Sequence, residues 1–302
     1  GNVAIGSEAL RTEDDGDYNT AIGHKALTAQ TGVSGEVANT AVGWEAGLSL
    51  TTGNQNTFIG KRAAGASQNI DRAVVIGVEA LGADNATSDS DGTVAVGWRA
   101  GYSINSGIGN TALGYEALYT ENDGDFNTAL GYQALKVQTG TSGEVGNTAV
   151  GYQAGMDLTT GTVSTFIGYK AGENKTTATN NIAIGASAFE GTGTNISNAI
   201  AIGYQAMAGN LGDSSAGSGN VAIGRQALKS ATNSSGSVAI GYEAGLYAVH
   251  DLYVTAVGYQ ALHGVGHTGG SHGTSHYNTA LGYRAGYNYG QGGSADHNVY
   301  VG

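Results

Sequence analysis

Three groups of side chains in this sequence could do chemistry. Acidic turns recur as Glu13-Asp14-Asp15-Gly16-Asp17, Asp89-Ser90-Asp91-Gly92 and Glu121-Asn122-Asp123-Gly124-Asp125. Carboxylates clustered about a glycine turn resemble pieces of calcium loops, which makes Asp14, Asp17, Asp89, Asp91, Asp123 and Asp125 candidate calcium ligands. None of these turns has the loop spacing or the closing bidentate Glu of an EF-hand, and Asp and Gly are also ordinary turn residues. Four histidines, His263, His267, His272 and His276, fall in one Gly-rich stretch at spacings of 4, 5 and 4. Copies of that stretch could bind a transition metal. Aromatic residues form the third group: Trp44, Trp98, Tyr115, Tyr132 and Tyr152, continued by Tyr169, Tyr204, Tyr242, Tyr259 and Tyr283. Such a series could stack on sugars as a binding face, or on itself as packing. No Ser-His-Asp constellation, phosphate loop or isolated carboxylate pair stands out, so a non-enzyme with no obligatory cofactor is expected.

All of these residues hang on one repeat. The unit reads as in Asn19-Thr20-Ala21-Ile22-Gly23-His24-Lys25-Ala26-Leu27, and its central glycine returns seventeen times between Gly6 and Gly302. Most intervals are 17 or 20 residues, and up to Gly168 they sum in threes to 54. Glu36–Gly43 returns as Glu144–Gly151, displaced by 108, or two such blocks. The period is too short for helix-pair or propeller repeats, and the motif alternates at the strand period with β-branched residues. An all-β, parallel β-roll or β-solenoid of about seventeen coils, filling residues 1–302 as a single repeat domain, is the expected fold. The three extra residues of the long intervals fall in Ala29–Val37, Gly82–Gly92, Val137–Val145, Ala208–Ser218, His263–Tyr277 and Asn288–Asn298. These loops are further candidates for binding.

With the repeat glycine numbered zero, position −1 is always Ile, Val or Leu, and −3 is Val, Thr or Ile. Position −2 is Ala in thirteen of seventeen copies, the exceptions being Phe58, Val75, Phe166 and Tyr300. Bulky residues are expected inside the coil, so −1 and −3 are assigned inward. The small −2/zero face is then left to pack against other chains. Threonine at −3 (Thr20, Thr40, Thr57, Thr111) would form a hydroxyl array of the kind that binds ice, but its exchange with Val and Ile favours the inward position. Alanine at +3 is expected to pack, and the polar +2 residues to be solvated.

Asn2-Val3-Ala4-Ile5-Gly6 and Asn220-Val221-Ala222-Ile223-Gly224 resemble the left-handed parallel β-roll heads of trimeric autotransporter adhesins of the YadA type. The form running from Asn147 to Gly155 resembles repeats of bacteriophage tail fibres still more. The resemblance covers the whole chain and implies a parallel homotrimer packed about a threefold axis. The head repeats of that family are shorter than 17 residues, which implies longer turns here. Stalk, membrane anchor and chaperone segments are missing from the sequence, so viral or bacterial origin stays open.

Composition narrows the function further. Glycine supplies 53 of 302 residues and proline none, yet 40% hydrophobic residues argue against disorder. A net charge of −12 disfavours nucleic acid as a partner, and no apolar run approaches a membrane helix. There is no signal peptide at the start, and the sequence opens inside a repeat, so it is expected to be an excised or processed piece. The expected role is a structural fibre or adhesin segment, extracellular, cell-surface or virion-borne. It would present an attachment face to a cell-surface glycan or protein. The alternative is a structural spacer or self-assembling filament subunit with no ligand of its own.

Overall fold

A computed structural model of the chain describes residues 1–31, 35–83, 90–140, 143–191, 195–209, 218–232, 234–248, 253–264, 276–289 and 296–302. The chain divides into two compact units, Gly1–Val150 and Gly151–Gly302. Both are all-β, parallel β-solenoids, with no helix among the described residues.

The first unit carries strands β1 (Val3–Ile5), β2 (Gly16–Asp17), β3 (Thr20–Ile22), β4 (Gly35–Glu36), β5 (Thr40–Val42), β6 (Thr57–Ile59), β7 (Val74–Ile76), β8 (Val94–Val96), β9 (Thr111–Leu113), β10 (Gly124–Asp125), β11 (Thr128–Leu130), β12 (Gly143–Glu144) and β13 (Thr148–Val150). The second carries β14 (Thr165–Ile167), β15 (Ile182–Ile184), β16 (Ile200–Ile202), β17 (Val221–Ile223), β18 (Val238–Ile240), β19 (Thr255–Val257), β20 (Thr279–Leu281) and β21 (Val299–Val301). Within each unit the three-residue strands stack in chain order, parallel and with like residues over like. Thr20, Ala21 and Ile22 of β3 face Thr40, Ala41 and Val42 of β5. The two-residue strands make side pairs, β2 with β4 and β10 with β12. These pairs reproduce the 108-residue duplication in three dimensions.

The chain turns sharply after each strand because of the repeat glycine. Gly60 has φ +134°, and a Cβ there would sit 2.7 Å from the carbonyl carbon of Gly77 in the next coil. Only glycine fits such an approach. Its N–H donates back to the previous coil, Gly60 to the Val42 carbonyl at 2.9 Å. Two positive-φ residues follow at +2 and +4, such as Gln133 (54°) and Leu135 (48°). With the +3 N–H bonded to the glycine carbonyl, as Ala63 to Gly60 at 3.3 Å, +2 occupies the position where a type II turn requires positive φ. The turn drives Ala at +3 and Leu at +4 inside; Ala26, Leu27, Ala134 and Leu135 are all fully buried.

The side chains of the strands point opposite to the sequence expectation. Position −2 faces the interior of its own chain: Ala21, Ala41, Ala95, Ala129 and Ala239 are fully buried. Positions −3 and −1 face out, with Ile22, Ile59, Leu113, Leu130, Ile167 and Ile240 each between 37% and 41% exposed. The small residues are therefore not a face reserved for another chain. They are the core, because a coil this narrow already places +3 and +4 side chains against the strand. Volume compensation shows how tight that core is. Where −2 is large, the nearby +4 is glycine: a Cβ on Gly47 would lie 2.8 Å from the Phe58 ring, and one on Gly286 2.9 Å from the Tyr300 ring.

The interior also holds a column of buried asparagines at −4. Asn110 is representative: its Oδ1 accepts the Asn127 N–H of the next coil at 2.8 Å, and its Nδ2 donates to the Gly124 carbonyl there at 2.8 Å. The same pair of bonds is made by Asn39, to the Asn56 N–H at 2.9 Å and the Gly53 carbonyl at 2.7 Å. Serine does part of the work at Ser164, whose Oγ accepts the Asn181 N–H at 3.2 Å.

Two outcomes follow for thermal denaturation. Asn110→Ala strands a buried N–H and a buried carbonyl, at about 1–3 kcal/mol each, whereas Asn110→Ser should cost clearly less. Ala129→Leu should cost about 1–3 kcal/mol by overpacking the chain's own interior. Adding Leu118→Gly, which stands to Ala129 as Gly47 does to Phe58, should recover part of that loss; a double variant no more stable than the single one would contradict the compensation rule.

Candidate functional site

Each coil presents the same outward sequence of groups: Thr, Val or Ile at −3, an aliphatic at −1, an aromatic at +1 and a polar residue at +2. Stacking these coils about 4.8 Å apart turns each position into a ladder. The −3/−1 ladder is an apolar stripe, continuous in each unit. Its residues are covered above and below by their counterparts and open only at the front. Beside it, the aromatic candidates are brought together. Trp98 stacks on Tyr115 at 4.7 Å between ring centroids, and Tyr115 on Tyr132 at 5.0 Å. In the second unit Tyr152 stacks on Tyr169, and Tyr242, Tyr259 and Tyr283 form another run. Trp44 instead carries the Lys61 ammonium, 5.2 Å from its ring centroid. Because Tyr115 is stacked on both faces, only its edge meets solvent. A sugar stacking on Tyr115 would need a ring face, and both are covered; each stacked pair contributes about 0.5–1.5 kcal/mol.

Polar residues at +2 make a third ladder, in which opposite charges follow one another. The Arg99 guanidinium donates to Glu79 at 2.7 Å and Gln133 to Glu116 at 2.9 Å, while Lys136, three residues further along the same coil, meets Glu116 at 2.7 Å. Arg99 also lies 4.5 Å from the Trp98 ring centroid. Its charge is thus engaged on two sides.

The metal candidates are not gathered into a site. Among the described residues no group of three or more His, Cys, Asp or Glu side chains lies together. Asp89, His267 and His272 lie outside the described residues, as does most of the 263–277 loop. Asp14 is exposed, and Asp17 pairs with the N-terminal amine at 3.5 Å. Asp91 accepts the Asp71 N–H at 2.8 Å, Asp125 the Ile108 N–H at 2.7 Å, and Asp123 the Ser106 hydroxyl at 2.7 Å. These carboxylates cap backbone and side-chain donors of neighbouring coils. His263 serves as a rung, stacked on Tyr287 at 4.8 Å with Nε2 3.3 Å from Glu243. His276 packs edge-on against Tyr277 and donates its backbone N–H to Asp296 at 2.6 Å.

Two charged groups are fully buried against expectation from the sequence, and both occupy position +7. Glu121 folds under its own turn, its carboxylate accepting the Asn122 and Gly124 N–H groups at 2.9 and 2.8 Å and that of Gly140 at 3.2 Å. Burial pushes its carboxyl above the usual range, partly offset by those backbone donors. Lys175 is fully buried. Its Nζ donates to the Gly191 carbonyl and lies 4.5 Å from the Phe189 ring centroid. Desolvation lowers its ammonium to about 7. Leu50, Ile104 and Leu158 hold the same +7 position and are buried, the signal that could have shown this position to face inward.

Comparison with known proteins finds no family model and no curated relative that matches this sequence.

The depressed Lys175 group has a definite pH signature. Its stabilising effect is complete above the unfolded value near 10.5 and is lost as pH falls towards the folded value of about 7, at about 1.4 kcal/mol per pH unit. Lys175→Leu, with the residue that Leu158 places one coil earlier, should raise Tm at pH 7. It should also remove this component of the Tm rise between pH 7 and 10. A variant that melts below the parent at pH 7 would contradict the assignment.

Proposed function

We propose that this chain is a non-catalytic segment of an extracellular or virion-borne fibre that assembles with further copies of itself and presents an attachment surface to a cell. The observation that carries the reading is the outward apolar stripe at −3 and −1. In a lone solenoid β-branched residues would gain by facing in, yet here they line the outside of both units, from Ile22 through Leu130 and from Ile167 through Leu281. A stripe repeating at the strand spacing is complementary to an identical stripe in parallel register. That makes copies of this chain its best-matched cover, and a threefold arrangement lets each copy shield its stripe against two others. The ladders of +2 residues and the net charge of −12 stay outside such a contact and keep assembled fibres apart. Repeated weak contacts along several parallel chains would add by avidity.

A spacer without its own ligand is the second reading, and the stacked faces of Tyr115 favour it, since they withdraw the most obvious sugar platform.

Sedimentation of the intact chain should give a homotrimer, and Leu130→Lys combined with Ile167→Lys should shift it to monomer. Both positions are outward-facing, so circular dichroism should be unchanged. A parent chain that sediments as a folded monomer would refute the assembly.

A further inference from the structure

The first unit contains a cleft of about 460 Å³ lined by Ser103, Asn105, Thr120, Asn122, Asp123 and Thr139. We propose that this cleft is a binding site for a neutral saccharide, an inference that rests on the attachment reading and names its ligand. Ala83 and Gly140 complete the wall, and their small size leaves the space open.

The volume lies in the range of small-molecule sites, roughly 300–1,000 Å³, and far exceeds what a bare cation needs. The wall decides the ligand chemistry. It contains no aromatic ring and no large aliphatic side chain, so an apolar ligand would leave its surface uncompensated. Hydroxyls and carboxamides dominate it, groups that both donate and accept, and the matching partner is a molecule whose own polar groups do both: a polyol ring. Thr120 is oriented by donating to the Lys136 and Gln138 carbonyls at 3.1 and 2.9 Å, which leaves its oxygen free to accept. Asp123 is held by the Ser106 hydroxyl through Oδ1. Among the described residues no hydrogen bond engages the side chains of Ser103, Asn122 or Thr139. Three consecutive coils fix the frame, with the Ser103 N–H bonded to the Tyr119 carbonyl, Asn105 to Asn122, and Thr120 to Lys136. The sole charged wall group is the Asp123 carboxylate, and no Lys or Arg lines the cleft. Sialic or uronic acids would meet repulsion there.

Saturation-transfer NMR on the intact chain, with neutral mono- and disaccharides and with uronic and sialic acid controls, tests this. Binding of neutral sugars is expected, weakened at least tenfold in Ser103→Ala/Asn122→Ala and abolished in Ser103→Trp, which fills the cleft. Of the two positions changed, Asn122 is exposed and Ser103 half-buried on the cleft wall, so Tm should stay near the parent value. No neutral-sugar signal, equal binding by the variants, or a preference for the acidic sugars would each overturn the proposal. A parallel cell-binding assay separates it from the attachment reading. Sugar binding without cell binding would remove that reading and keep the cleft; cell binding undiminished in both variants would keep attachment and remove the cleft as its site.

Discussion

The solenoid depends on how one coil grips the next, and that grip is a buried carboxamide. Where −4 is asparagine, as in eleven of the seventeen copies, its side chain can reach two backbone groups of the next coil, the −4 N–H and the −7 carbonyl, as Asn110 does to Asn127 and Gly124. Between those two groups the successor carries its positive-φ residue at −5, Phe126 in this coil at 59°. The asparagine thus braces the bend that leads into the next strand, and it does so where no water can substitute. Strand register, the glycine corner and the outward ladders all inherit their position from this clamp. Where it is missing the local geometry changes: Ala73 holds −4, and the next coil's Thr93 N–H turns to its own Ser90 carbonyl at 3.3 Å.

With the coil pinned at that spacing, its interior has room for little. Alanine at −2 and +3 and leucine at +4 fill it, and any enlargement must be balanced, as Gly172 balances Phe166 with a Cβ that would fall 2.6 Å from the ring. The Ile, Val and Thr side chains of the strand have only the outside left. Their β-branching still serves the strand conformation, so the sequence pattern satisfies backbone preference while giving up burial within the chain. That trade is what makes the stripe a surface in need of a cover.

The repeat itself was legible because its signals are local: glycine at the corner, β-branched residues beside it, alanine at +3. The inside-out relation of the strand was not. A period of two says only that −2 opposes −3 and −1; choosing which face is the core relied on size, and size misleads in a coil too thin to hold isoleucine. Asn19 and Asn39 stood in the motif as read, but a polar residue next to a strand reads as a turn former, and only its depth shows it to be a clamp. Lys175 was hidden for the same reason, since Glu173-Asn174-Lys175 resembles a solvated turn until it is aligned with Leu158. The use of the aromatic series stayed between packing and binding in the sequence because stacking geometry is a property of neighbouring coils.

A repeat that satisfies itself along its own stack leaves few groups to act on anything else. The +2 charges pair, the +1 rings cover one another, and the acidic turns cap N–H groups. Groups left unengaged are therefore confined to places where the repeat changes. The cleft is one such place: Ser103, Asn105, Thr120, Asn122 and Asp123 lie on the two 17-residue intervals from Gly97 to Gly131, while Ala83, Thr139 and Gly140 belong to the 20-residue intervals on either side. Alternation of long and short coils makes a recess with polar walls without altering the strand or the glycine corner. Interval length can thus vary surface chemistry along the chain at little cost to the core. That freedom explains why the intervals differ while the corner glycine and the +3 alanine do not.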